Sequence, residues 1–158
     1  MPLIALLLSA VLIAVDQILK LLAVEYLKPM GGMHIIPGFL DLTYIPNSGA
    51  AFSMLEGQRW LFVGITFVIC VIIIVALFRY RNHGFCSYAA SVLIVAGGIG
   101  NMIDRVLHGY VVDYIHVLFF PAIFNFGDCC VTVGTVFLIL HVLFFAENGN
   151  GEKVLRTK

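Results

Sequence analysis

Four stretches of the chain, roughly 3 to 24, 60 to 78, 86 to 105 and 128 to 146, are almost unbroken runs of apolar residues. About 20 such residues in a helix cross the roughly 30 Å of bilayer hydrocarbon. Inside hydrocarbon every backbone polar group must be satisfied within the protein, which leaves only helices or a closed barrel. The run lengths suit helices, and no regular strand-and-turn repeat points to a barrel. The expected fold is an all-α integral membrane protein with four transmembrane helices, read as one membrane domain over residues 1–158. Composition agrees, with 61% hydrophobic residues, 11% charged residues and a mean hydropathy of +1.05, far from soluble globular values. A formal net charge of zero leaves no basic surface for nucleic acid.

The first run is read as a span rather than a cleavable signal. No Lys or Arg precedes it, apolar character resumes after Asp16, and no A-x-A site follows. Cys70, Cys86, Cys129 and Cys130 fit neither a disulfide framework nor a metal motif, and read as small buried apolar residues.

Arg79 and Arg81 lie between the second and third spans, and Lys153, Arg156 and Lys158 follow the fourth. Under the positive-inside rule these segments are cytoplasmic, which puts both termini inside and the two longer connections, about 25 to 59 and 106 to 127, outside. In the first connection, MHIIPGFLDLTYI has two β-prone runs around Pro37 and Gly38, predicting a short hairpin over 33 to 45. An isolated hairpin is marginal in water, so this one should rest on the membrane surface or on helix ends. The second connection carries Tyr110, Tyr114, Phe119, Phe120, Phe124 and Phe126, and reads as an interfacial loop or short helix.

The polar residues of the spans gather toward one side of the membrane. Asp16 and Lys20 are four apart and share a helix face, either as a simple ion pair or as a pair that helps to bind a polar substrate group. Asn101, Asp104 and Arg105 share a face at the end of AGGIGNMIDR, where Gly97, Gly98 and Gly100 let another backbone come close. Asp128, preceded by Asn125, opens the fourth helix and suits a cap in its first turn. Asp113 lies fifteen positions earlier, and the connection between them allows the two carboxylates to meet at the mouth of the bundle. Neighbouring carboxylates titrate together and can share one proton. That arrangement serves aspartic proteolysis, in which the ionised member takes a proton from water and the protonated member polarises the carbonyl. In NSGAAFS, residues 47 to 53, Asn47 and Gly49 suit either an ordinary turn or a segment that holds an extended substrate.

Five co-linear patterns, D-Q-x-x-K at 16 to 20, N-x-G-A-A-F at 47 to 52, G-G-x-x-G-N-x-x-D-R at 97 to 105, V-V-D at 111 to 113 and F-N-x-x-D at 124 to 128, closely resemble those of the bacterial lipoprotein signal peptidases, or signal peptidase II. The resemblance covers nearly the whole chain. It implies an aspartic endopeptidase of the bacterial cytoplasmic (inner) membrane that removes the signal peptide from prolipoproteins, cutting just before a diacylglyceryl-modified cysteine. By motif position Asp113 and Asp128 would be the catalytic pair. Asn47, Gly49, Asn101, Arg105 and Asn125 would line the site or contact substrate, with Asp16, Lys20 and Asp104 in support. The resemblance also implies inhibition by cyclic peptides such as globomycin, and no metal or cofactor; a monomer is expected. Tyr114 stands where the family often has phenylalanine, and Gly127 where it often has alanine, which puts the fine geometry beside Asp128 in doubt.

Three other readings compete. A metalloprotease using His108 and His116 lacks an H-E-x-x-H pattern. An ion or proton translocator would need ionisable residues in the inner halves of the spans, which hold almost none. A non-catalytic scaffold leaves the cost of the polar cluster unexplained.

Overall fold

The computed structural model describes residues 1–49, 57–80 and 83–155. Arg81, Arg156, Lys158 and the AAFS part of the 47–53 segment lie outside these residues. Helix α1 runs Pro2–Leu22, continues through one π-helical turn at Ala23–Leu27 and ends in a last turn at Lys28–Met30. Gly31, left-handed at φ 75°, stops it. Helices α2 (Arg59–Arg79), α3 (Phe85–Leu107) and α4 (Phe126–Leu155) follow. Among the described residues four helices are long and apolar enough to span a bilayer; their bounds lie within two residues of those expected, except that α1 extends through Met30 and α4 through Leu155.

The four helices share one packing centre in α3, which meets α1, α2 and α4. Small residues along α3 allow this. A Cβ on Gly97 would collide with the carbonyl oxygen of Gly127 on α4, so the two backbones touch there. Gly100 instead makes room for the Asp16 carboxylate, and Gly98 for the side chains of Thr66 and Cys70. Of the three glycines expected to admit a second backbone, only Gly97 does so. All four cysteines are free; Cys70 and Cys130 are buried, whereas Cys129 is exposed on α4.

The expected hairpin is present as β1 (Met33–Ile36) and β2 (Leu40–Asn47). Pro37 and Gly38 form its turn, with Gly38 at φ 74° and the Phe39 amide donating to the Ile36 carbonyl at 3.0 Å, as a proline followed by a positive-φ glycine dictates. The second connection departs from the loop or short helix expected of it. Val111–Val117 is strand β3 and Ile123–Phe124 is strand β4, completing an antiparallel sheet in the order β1-β2-β3-β4. The β-branched residues Val111, Val112, Ile115 and Val117 found an unpaired edge on β2, and pairing with it satisfies the backbone better than an interfacial coil.

The sheet is seated on α1. Val112 and Tyr114 form a buried cluster with Ala23 and Leu27 of the π-turn. Alternation along β3 then sends Asp113 to the opposite face.

The Gly97–Gly127 crossing should not tolerate a side chain. Gly97→Ala is expected to lower stability by about 1–3 kcal/mol through overpacking against a backbone atom. Gly64→Ala, on an open face of α2, should be neutral or slightly stabilising. Thermal unfolding of both variants in detergent checks the contrast.

Candidate active site

Lys20 is the first fixed point. Its ammonium is 2.8 Å from Asp16 Oδ2, one helical turn earlier, and 3.1 Å from Asp104 Oδ2 on α3, with all three residues at most 3% exposed. It also donates to Asn101 Oδ1 at 2.8 Å. Gln17 closes the back of this group, its Nε2 within 3.2 Å of Asp16, the Gly100 carbonyl and Asp104.

The two acids that hold Lys20 also place the neighbouring elements. Asp104 Oδ2 accepts from the Val112 amide at 3.1 Å, which fastens β3 to α3 one residue before Asp113. Asp16 Oδ1 accepts from the Gly127 amide at 2.8 Å, which fastens the start of α4 one residue before Asp128. A Cβ on Gly127 would lie 3.0 to 3.2 Å from three oxygens, those of Asn125, Asp16 and Gly97. Glycine at this position therefore relieves crowding beside Asp128.

Asp128 caps its helix. Its amide donates to Asn125 Oδ1 at 3.0 Å, while the Asn125 amide donates back to Asp128 Oδ2 at 3.1 Å, a reciprocal capping box with Asn and Asp as its members. The cap reading of Asp128 is thus correct, but it is not the whole of its surroundings. Asn101 Nδ2 donates to Asp128 Oδ1 at 2.8 Å, and the Asn125 side chain, fully buried, sends Nδ2 to Asp113 Oδ1 at 2.7 Å. Asn125 therefore touches both carboxylates.

From Asp113 the chain of contacts continues outward. Its Oδ2 accepts from Asn47 Nδ2 at 2.8 Å, Asn47 Oδ1 accepts from the Gly49 amide at 3.0 Å, and the Gly49 carbonyl accepts from Arg105 Nη2 at 3.1 Å. Arg105 lies over the Phe62 ring, 5.0 Å from its centroid, and Nη1 reaches the Asn101 carbonyl at 3.4 Å. The contacts close a ring: Asn101, Asp128, Asn125, Asp113, Asn47, Gly49, Arg105 and back to Asn101. Lys20, Asp16 and Asp104 are attached to it through Asn101. All ten residues singled out in the sequence meet in this one network.

Gln17 and Tyr114 were not among them. Gln17 is three residues from Lys20 and so on its face, a signal already present in the D-Q-x-x-K pattern. The Tyr114 hydroxyl accepts from the Phe126 amide at 3.3 Å, a contact that only the sheet register creates. His108 packs near Tyr110 at 6.0 Å, and His116 faces Asp41 across the sheet. Among the described residues no group of His, Cys, Asp and Glu is placed to hold a metal.

Burial is the main influence on Asp113. It lifts the carboxyl from 3.8 to about 6, with the Asp128 charge adding to the rise and the Asn47 and Asn125 hydrogen bonds opposing it. The pair can therefore hold one proton near neutral pH. Fixed amide donors and a shared proton are among the things that hydrolysis of an amide by water requires.

Fold and site together define a multi-pass membrane protein with a carboxylate pair at the sheet-bearing end of its helices. A family model described as Signal peptidase (SPase) II matches residues 8–144. The lipoprotein signal peptidase of Caldanaerobacter subterraneus subsp. tengcongensis is 39% identical over 140 residues, covering 89% of this chain and 96% of that one. That of Streptococcus pneumoniae is 43% identical over 141 residues, covering 88% and 92%. A bacterial membrane enzyme structure solved by the in meso method at 2.3 Å resolution is similar at a TM-score of 0.83 and 32% identity, over 91% of this chain and 90% of that one. A second, at 1.9 Å, is similar at 0.78 and 33%, over 88% and 92%. The chain belongs to the signal peptidase II family.

Because the folded carboxyl of Asp113 is raised, the unfolded chain ionises first. Its contribution to stability is present below pH 3.8 and lost as pH rises to about 6. Asp113→Asn should flatten the fall in melting temperature across that window. An unchanged slope would show that other groups carry it.

Proposed function

We propose that this chain is an aspartic endopeptidase that removes the signal peptide from prolipoproteins, cutting immediately before a diacylglyceryl-modified cysteine. Asp113 and Asp128 are its catalytic pair. The observation that carries this reading is Asn125, which binds both carboxylates at once and ties them into one closed ring. Family membership supports the substrate class.

In this reading a water molecule lies between the two acids and the scissile carbonyl. The ionised acid takes a proton from the water as its oxygen bonds to the carbonyl carbon, and the other acid gives its proton to the carbonyl oxygen. The resulting diol collapses when the first acid protonates the leaving nitrogen and the C–N bond breaks. The second acid regains its proton from a diol hydroxyl. Both acids return to their starting states, and one water has been consumed per bond.

Arg105 and Asn47 hold the Gly49 backbone beside the pair, where it can steer an extended substrate. The enzyme sits in the bacterial cytoplasmic (inner) membrane as a monomer with both termini cytoplasmic and the pair near the outer face. There a lipid-anchored cysteine presents its bond, and cyclic peptides such as globomycin compete for the same space.

Purified Asp113→Asn and Asp128→Asn should each remain folded by thermal melting. Each should lose at least about 1,000-fold in cleavage of a diacylglyceryl-modified prolipoprotein, the scale of removing a group that acts in every proton transfer. Full cleavage by either variant would sink the pair assignment. Asn47→Ala, which removes one neutral donor to Asp113, should cost less, about 10- to 100-fold.

A further inference from the structure

The ring treats its two acids differently. Each accepts two hydrogen bonds from donors whose orientation is fixed. At Asp113 both donors are the neutral side-chain amides of Asn47 and Asn125. At Asp128 one donor is a backbone amide at a helix start, and the other is Asn101. Asn101 is itself fixed by a cation. An ammonium can only donate, so the oxygen of the Asn101 amide must face Lys20 and its NH2 group must face Asp128. The positive end of α4 adds to this, because Asp128 lies in the first turn. Asp113 sits on a strand and has no helix start beside it; the Lys20 charge reaches it across space, but neither of its two donors is held by that cation.

We propose that Lys20 is a positioning residue that acts through Asn101 on Asp128, so that Asp128 carries the negative charge of the pair and activates water while Asp113 carries the shared proton. The assignment rests on the proposed peptidase function and adds to it the role of each acid. The elevated carboxyl of Asp113 is consistent with it. The charged and titratable groups around Asp128 are Lys20 and Asp16 from α1, Asp104 and Arg105 from α3, Asp113 and Tyr114 from β3, and Cys129 on its own helix. Of the two cations, only Lys20 binds the amide side chain that donates to Asp128; Arg105 meets the backbone carbonyl of Asn101 and the Gly49 carbonyl.

The sign of a charge change separates this role from simple support of the fold. The test is kcat/KM against pH for cleavage of a diacylglyceryl-modified prolipoprotein by the full chain in detergent. Lys20→Met removes the cation and should move the acid limb up by about one pH unit, with Lys20→Arg restoring it. Asp16→Asn leaves Lys20 less neutralised, keeps an oxygen for the Gly127 amide, and should move the acid limb down. If Lys20→Met fails to fold, the downward movement in Asp16→Asn carries the test. Slower cleavage with the limb unmoved, or moved the same way in both variants, would overturn the role of Lys20. Wild-type protein that does not cleave, or Asp113→Asn that cleaves fully, would instead overturn the peptidase reading. Active wild type, inactive Asp113→Asn and Asp128→Asn, and an unmoved limb would overturn only the inference about Lys20.

Discussion

The ammonium of Lys20, enclosed by Asp16 and Asp104, is the contact on which the rest of the site depends. A buried cation without partners is costly, and removing one partner from such a group typically costs about 3–5 kcal/mol. Here each member of the group also joins two elements. Asp16 joins α1 to the start of α4, Asp104 joins α3 to β3, and Lys20 joins α1 to α3. Among the described residues no buried side-chain nitrogen or oxygen lacks a partner. Satisfying the charge and placing Asp113 and Asp128 are the same set of contacts, since each acid follows by one residue a backbone amide bound to the triad.

The sheet supplies the remaining precision. The β2–β3 register shifts between Leu42 and Ile45, so that Ile45 rather than Tyr44 stands opposite Asp113. Residues on either side of Asp113 point into the Ala23–Leu27 cluster, and a slip of one residue would exchange the faces and bury the carboxylate against α1. The π-turn of α1 thus matters to the site although it contributes no polar group to it. It provides the apolar seat that selects the register.

Much of this was legible in the sequence, for identifiable reasons. Hydrophobic runs set the helices, since hydrocarbon permits little else, and Pro37-Gly38 set the hairpin. The i,i+4 spacing of Asp16 and Lys20, and the three-and-four spacing of Asn101, Asp104 and Arg105, set two polar faces. Strands β3 and β4 were hidden because their aromatic content matches an interfacial coil equally well, and only the free edge of β2 decides between them. The closing of the ring was hidden for the same reason. That Asn47 reaches Asp113 depends on a pairing of residues 66 positions apart, which no local pattern encodes. Gly127 shows the opposite case, a departure that put the fine geometry beside Asp128 in doubt and that lies where a Cβ would crowd three converging oxygens.

Neither cation of the site is bound directly to Asp113 or Asp128. By hydrogen bonds Lys20 reaches Asp128 through Asn101, and Arg105 reaches Asp113 through Gly49 and Asn47. A guanidinium or ammonium bound directly to either acid would hold it ionised and prevent it from taking up or returning a proton in the proposed reaction. Neutral amides fix the same geometry without contributing a full charge. They also leave each carboxylate oxygen with a second lone pair free for the proton or for water. The amides of Asn47, Asn101 and Asn125 are therefore what allows a pair fixed in position to remain changeable in charge.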